Sequence, residues 1–411
     1  MRQNDLWGYS MKHLTAEQRA VLALLRRSLW GESPDIPEKV NWETLHRIAK
    51  EQAVISYMYD GARAAQAAVP ARILEQWKQV LLRGVAKNER LLKAQDDLIA
   101  WFSQAGIPCV ILKGSSVAQY YPQPDLRILG DIDILVKKAD VERASAILEQ
   151  QGYAYHEHEH GFHLSYNRPG AYVELHYHVT SLPENSGGKI AGEVIDGFLE
   201  DIRQGAVGSH HFPVLSEANQ GLTLILHMIR HMFLGGIGLR QLADWAVYVA
   251  NNDLSGVLPV LERCGVLLYA KVATKVCVQY LGLSGQDLSW CEDVEEDLCR
   301  EFLGDIFRGG NMGTADTESL GSWFTDERIG SSGKSSLAVL LTRLTHLSYQ
   351  RFPFTRKYKV LLPFFWVFLP VRYWVRSLLG LRPKKPVSKV VATARQRREL
   401  YDMLKMFEVK K

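Results

Sequence analysis

Apolar and polar positions along this chain change period several times, and the changes mark its elements. Over residues 14–84 the pattern is helical, with Thr15 and Asn41 placed as N-caps. Residues 107–112 (Ile-Pro-Cys-Val-Ile-Leu) form a continuous apolar run of buried-strand length, stopped by a glycine turn at Gly114. A helix is expected to start over 116–121. A second buried strand covers 132–136, and a helix over 139–151 ends at Gly152. Two strands, 161–167 and 171–180, flank Arg168-Pro169-Gly170 and read as a hairpin. From 216 to about 307 the pattern is helical again, interrupted by Gly235-Gly236 and Gly238. The order predicts an α+β fold, a small mixed sheet embedded in N- and C-terminal helical regions. The expected divisions are 1–84 helical, 85–205 the sheet core, 206–307 helical, 308–334 a linker or mobile loop, and 335–411 helical and basic. No internal repeat is visible.

The sheet core holds the densest chemistry. Lys113-Gly114-Ser115-Ser116 follows the first strand, Asp131-Ile132-Asp133 opens the second, and Glu174 stands in Val173-Glu174-Leu175. Residues i and i+2 of a strand share a face, so Asp131 and Asp133 project together while Ile132 and Ile134 point to the core. Two adjacent carboxylates repel unless cations lie between them. An all-oxygen set suits Mg²⁺ or Mn²⁺, and two such ions can clamp the attacking and leaving oxygens of a phosphoryl displacement. Glu174 would complete the set, as a ligand or by taking a proton from the acceptor. The turn at Gly114, Ser115 and Ser116 would offer N–H groups and hydroxyls to phosphate, with Lys113 adding positive charge. An Asp-x-Asp pair also occurs on exposed strand edges and in calcium loops, but the buried flanking strands favour the catalytic reading.

Residues 88–180 resemble the DNA polymerase β-like nucleotidyltransferase superfamily, whose pattern is h-Gly-[Gly/Ser], Asp-h-[Asp/Glu] and a later h-[Asp/Glu]-h. More narrowly, the chain is similar to a bacterial family of uncharacterised nucleotidyltransferases. The matching pieces are Leu112-Lys113-Gly114, Tyr121-Pro122, Arg127, Gly130-Asp131-Ile132-Asp133-Ile134-Leu135-Val136 and Val173-Glu174-Leu175-His176. Leu226-His227-x-x-x-His231 and Gly238-Leu239-Arg240-Gln241-Leu242-Ala243-Asp244 fit as well. The interval from Ser115 to Asp131 is slightly long for the superfamily pattern. The resemblance implies Asp131, Asp133 and Glu174 as metal ligands, and Arg127 beside Lys113, Gly114, Ser115 and Ser116 for nucleotide phosphate. It also implies His176, His227, His231, Arg240 and Asp244 on the acceptor side.

The implied reaction moves NMP from an NTP to a hydroxyl or phosphate of a small-molecule, sugar, lipid-linked or peptide acceptor, releasing pyrophosphate. Transfer of sugar or sugar-phosphate from a nucleotide-sugar in a biosynthetic pathway, and a non-catalytic nucleotide-binding or membrane-recruited partner protein, are the alternatives. On this reading Asp133→Ala abolishes transfer and leaves the fold intact.

Six of the thirteen histidines lie between 156 and 178. Residues 156–163 read as a solvated loop or edge strand. Alternation places His176 and His178 on the face of Glu174, which makes zinc available there. His227 and His231 stand at i and i+4 of a helix, but position 228 is Met and not the Glu of a zinc peptidase, so a core or substrate-facing pair is favoured. Arg240 and Asp244 have the same spacing and read first as an ion pair. Gly330-Ser331-Ser332-Gly333-Lys334-Ser335 is not a P-loop, because the required upstream glycine is Arg328.

Composition adds the remaining bounds. The chain has 411 residues, 47% apolar and 23% charged, enough for two or three cores and too apolar for disorder. Five unpaired-looking cysteines and the absence of an apolar leader point to a reducing cytoplasm. Residues 340–411 hold seventeen Lys/Arg against three Asp/Glu, so this segment is +14 in a chain of net +4. Within it, 360–371 is an uncharged aromatic and aliphatic run, too short to span a bilayer and broken by two prolines. Peripheral contact through 360–385 with an anionic membrane, at its inner face, stands beside a buried C-terminal helix; nucleic acid is the weaker partner.

Overall fold

The structure is a computed structural model that describes residues 13–311, 354–378 and 387–409, with positions 341, 344, 345, 348, 349 and 352. Beyond residue 311, the expected linker or loop over 308–334 and the glycine-serine segment 330–335 lie outside the described residues.

Four helices come first: α1 (Ala16–Trp30), α2 (Trp42–Glu51), α3 (Ile55–Ala64) and the long α4 (Ala71–Gln104). Both expected caps are made. The Thr15 hydroxyl accepts from Gln18 N at 3.2 Å while Gln18 Oε1 accepts from Thr15 N, and Asn41 Oδ1 accepts from Thr44 N at 3.0 Å. Each such cap contributes about 1 kcal/mol.

The sheet has seven strands: β1 (Cys109–Ile111), β2 (Ile132–Val136), β3 (Ala154–His160), β4 (His163–Arg168), β5 (Ala171–His176), β6 (Ile202–Val207) and β7 (His210–Leu215). Their order is β3-β4-β5-β2-β1-β7-β6. The pairs β2–β5 and β1–β7 are parallel and the others antiparallel. This is the α+β class with a mixed sheet. Residues 156–160 belong to the edge strand β3, one of the two forms expected for them. The β6–β7 hairpin was not expected, because Ile202-Arg203-Gln204-Gly205-Ala206-Val207 alternates poorly and carries polar residues at a sheet edge.

Short helices α5 (Ser115–Ala118), α6 (Val141–Gln150) and α7 (Ser186–Asp196) connect the strands. One sheet face packs Ile111, Ile134 and Leu175 against Leu98 and Phe102 of α4 and Leu148 of α6. The other face sends Val110, Leu112 and Leu135 into a larger core shared with the N-terminal helices and with α8 (Glu217–Leu234), α9 (Leu239–Asn251), α10 (Val257–Arg263), α11 (Leu267–Val276) and α12 (Glu296–Gly309).

Helix α13 (Leu362–Leu378) contains Pro370, and Pro363 sits in its first turn, where no intrahelical N–H is needed. The prolines therefore do not break this run as expected. Its Leu362, Phe365 and Leu369 are buried, whereas Phe364, Val367, Val371 and Val375 are exposed. The last helix, α14 (Val387–Leu404), returns to the core. Arg397 donates from Nε to Asp305 Oδ1 at 2.8 Å, and Tyr401 Oη donates to Met232 O at 2.6 Å. All five cysteines are buried and free.

Candidate active site

Strand register assembles the acidic cluster. In the parallel pair β2–β5, Asp133 is opposite Glu174 and Leu135 opposite His176; in the antiparallel pair β4–β5, His163 is opposite His176 and Ser165 opposite Glu174. Alternation then puts Asp133, Glu174, His176 and His163 on one face, with Asp131 two residues before Asp133. The carboxylates of Asp131, Asp133 and Glu174 come within 4.8 Å of one another, as do ligand atoms of His163, Glu174 and His176. These acidic and imidazole donors fit a metal ion in type and spacing.

The approach to Asp131 is clamped by α4. A methyl group on Gly84 would meet Ile128 Cδ1 at 2.0 Å, so the Ile128 side chain lies directly over the helix at this glycine. One turn on, Asn88 Nδ2 donates to Arg127 O at 3.1 Å, Asn88 Oδ1 accepts from Leu129 N at 2.8 Å, and Lys87 Nζ donates to Gly130 O at 2.8 Å. At the end of β1, Gly114 takes φ +70°, the left-handed region, and the site of its missing Cβ is 3.7 Å from Asp131 O. The glycine turn and the first aspartate are thus neighbours.

The two aspartates differ sharply in environment. Burial would raise the Asp133 carboxyl, but the charge of Lys113 and the bond with His176 hold it well below the usual carboxylate range. Lys113 Nζ is 2.8 Å from Asp133 Oδ1, and His176 Nε2 is 3.0 Å from the same oxygen and 3.2 Å from Glu174 Oε2. Among the described residues Asp131 has no hydrogen-bonded cation of this kind, and burial, then the charge of Asp133, pushes it up to about 6. Burial works against the charge of both Lys113 and His176, yet their acidic partners leave each pKa raised.

Other expected residues fall out differently. Ser115 and Ser116 are buried, with the Ser115 hydroxyl donating to Gln95 Oε1 at 2.6 Å and the Ser116 hydroxyl accepting from Gln220 Nε2 at 3.4 Å. Their hydroxyls face inward; what the turn offers a phosphate is its first N–H groups, which lack intrahelical partners. Arg127 forms a two-pronged pair with Asp244, 2.8 Å at each prong, and Tyr121 Oη donates to Asp244 Oδ1 at 2.8 Å. The pairing expected between Arg240 and Asp244 is replaced by this one, because Asp244 turns into the core. His178 lies past the end of β5 with its ring against Thr180 O, 2.7 Å away, so His163 supplies the second imidazole beside Glu174.

His227 and His231 stack edge to face on α8 with centroids 4.1 Å apart. Burial and then the charge of Lys113 depress both, His227 well below its ordinary value and His231 to about 3. They form an uncharged wall near Lys113. Helix α8 is tied to that turn by Gln220, whose Nε2 donates to Leu112 O at 3.1 Å. A cavity of about 790 Å³ reaches Gly130, the residue before Asp131, and is lined in part by Lys50, Arg83, Lys87 and Arg240. The same lining includes Glu75 and the apolar Ile55, Val80 and Leu129, and among the described residues Arg240 Nε makes no hydrogen bond.

Lys87, Asn88 and His163 were missed in the sequence. Lys87 and Asn88 fall just past the expected helical region 14–84, in a stretch to which the sequence pattern assigns no element. His163 was readable: a hairpin turning at Pro169-Gly170 pairs positions that sum to 339, which sets His163 opposite His176.

The model of a family described as uncharacterised nucleotidyltransferase matches residues 38–282. No curated protein matches the chain, and no solved structure matches it. The family match covers more than half of the 411 residues and includes every site residue above, and the chain belongs to this family.

Proposed function

We propose that this member of the uncharacterised nucleotidyltransferase family transfers NMP from an NTP to a small acceptor with Mg²⁺ or Mn²⁺, releasing pyrophosphate. Nucleotidyl transfer is the general chemistry of the family; the metal, the donor and the acceptor are our reading. The observation that carries it is the convergence of Asp131, Asp133 and Glu174 within 4.8 Å, beside a glycine turn at the end of β1. Bound there, divalent cations would neutralise the triphosphate and polarise the acceptor oxygen.

The protein's own groups do the rest by position and charge. Asp131 and Asp133 would hold the cations, and the N–H groups of the Gly114 turn would receive phosphate oxygens. The acceptor oxygen would bond to the α-phosphorus as the bond to the bridging oxygen of pyrophosphate breaks. Glu174 would serve as third ligand or take the acceptor's proton. The cavity beside Gly130 sets Lys50, Arg83, Lys87 and Arg240 against one acid, Glu75, which would favour a substrate with a negatively charged group in that position.

We also place the protein in the cytoplasm, peripherally at an anionic membrane. Among the described residues no helix is long and apolar enough to cross a membrane. Yet Val360 (85%), Phe364 (61%), Val367 (66%) and Val371 (51%) are exposed at helical spacing. Residues 328–398 include no Asp or Glu. An apolar stripe in an acid-free, basic segment suits shallow insertion among anionic headgroups.

The test incubates purified protein with each α-³²P-labelled NTP, Mg²⁺ or Mn²⁺ and cell extract as acceptor. Label should enter a new product with wild type and not with Asp131→Asn. Label that never leaves the nucleotide, together with affinity for a nucleotide-sugar, would move the assignment to sugar transfer.

A further inference from the structure

We infer that His163, Glu174 and His176 form a second cation site, one that selects a borderline first-row transition ion, Zn²⁺ being the reference, over Mg²⁺. The register of the β4–β5 hairpin creates it by setting His163 opposite His176, with Glu174 two residues before His176 on the same strand. Glu174 Oε2 is 3.2 Å from His176 Nε2, and Glu174 Oε1 is 3.8 Å from His163 Nε2. Donors bound tetrahedrally to zinc at 2.0–2.1 Å stand about 3.4 Å apart, and one ligand atom from each of the three side chains already lies within 4.8 Å of the others.

The imidazoles are also prepared as ligands. His163 and His176 are 2% and 0% exposed, with ring centroids 4.9 Å apart. His176 Nδ1 is 3.1 Å from the carbonyl oxygen of His178, to which it donates, and this aims Nε2 at Glu174 and Asp133. A ring nitrogen fixed by a backbone carbonyl is the usual support of a metal-binding histidine. Phe162 closes the outside, edge-on to His163 with centroids 4.6 Å apart. Mg²⁺ gains little from imidazole, whereas zinc and its neighbours bind it well. Glu174 would then link an oxygen-only position at Asp131 and Asp133 to a nitrogen-bearing one at the hairpin.

This inference deepens the proposed reaction and rests on it in one respect: of the two roles left open for Glu174, it takes that of ligand. The test uses full-length, metal-stripped protein loaded with Zn²⁺ and dialysed against excess Mg²⁺. Elemental analysis should find one retained zinc, and X-ray absorption at the zinc edge should show scattering from two imidazoles. His163→Gln and His176→Gln should each weaken zinc binding at least tenfold, while Asp131→Asn should retain the zinc and lose transfer. Oxygen-only scattering in the wild type, or complete exchange for Mg²⁺, would overturn the site and leave nucleotidyl transfer untouched. Retained zinc with no transfer by the wild type would instead sink the proposed reaction and leave the metal site standing.

Discussion

Lys113 holds its ammonium 2.8 Å from Oδ1 of Asp133, and this pairing separates two aspartates that the sequence presents as equals. Asp133 is a buried anion stabilised by Lys113 and His176. Asp131 is an anion held against burial and against its neighbour's charge.

Asp131→Asn is therefore expected to abolish transfer while keeping or raising stability. A carboxyl pushed up to about 6 is strained as an anion at pH 7, and its removal should stabilise the fold by about 1–2 kcal/mol after allowance for partial exposure. Transfer assays beside urea denaturation midpoints check both halves. An equal loss of stability in Asp131→Asn and Asp133→Asn would show the asymmetry to be wrong.

Asp133→Ala should lose transfer and also about 3–5 kcal/mol of stability, because it leaves the buried Lys113 ammonium without its counter-ion and removes a hydrogen-bond partner of the His176 ring. This revises the expectation that Asp133→Ala leaves the fold intact. Adding Lys113→Met to Asp133→Ala should recover part of the stability and none of the activity.

The buried pair of Arg127 and Asp244 offers a different contrast. Asp244→Ala should cost about 3–5 kcal/mol, whereas Arg127→Met combined with Asp244→Leu should be far milder, since no charge is left alone. If Arg127 acted mainly on phosphate, Arg127→Met would raise KM for the NTP without moving the melting temperature.

Acid should loosen the fold in a defined window. His227 and His231 are kept neutral inside, His231 down to about 3, while the unfolded chain takes up protons near 6.5. The unfolded state then binds more protons over that interval, so stability falls as pH drops below about 6.5, by up to about 1.4 kcal/mol per pH unit for each site. Denaturation midpoints at pH 7.5 and 5.5 should converge in His227→Gln/His231→Gln relative to wild type.

Vesicle binding tests the exposed stripe. Wild type should sediment with vesicles containing phosphatidylglycerol, and less so with phosphatidylcholine alone or at high salt. Phe364→Glu and Val367→Glu are exposed substitutions, so they should weaken sedimentation without altering the melting temperature. Equal binding to both lipids by all variants would remove the membrane from the account.

The central strands, the N-caps and the shared face of Asp131 and Asp133 were legible because each rests on local periodicity or a local hydrogen bond. The hairpin register was legible in principle, through the Pro169-Gly170 turn. Direction was harder: Ser115 turns inward because Gln95 lies on a helix twenty residues earlier, and Asp244 turns to Arg127 across 117 residues. No spacing rule contains those partners. The β6–β7 hairpin was invisible for a third reason, since an edge strand buries too little to carry an apolar alternation.

The return of the chain through α14 changes what the basic segment is mechanically. Arg397 on Asp305, Tyr401 on Met232 and the Phe407 N–H on Gly265 O moor it at the far end, as α12 does at the near end. The stretch bearing α13 is a strap fastened at both ends, and not a streamer. A membrane that gripped α13 would therefore hold a stretch of chain that enters from one helix of the core and returns to another, and not a free tail.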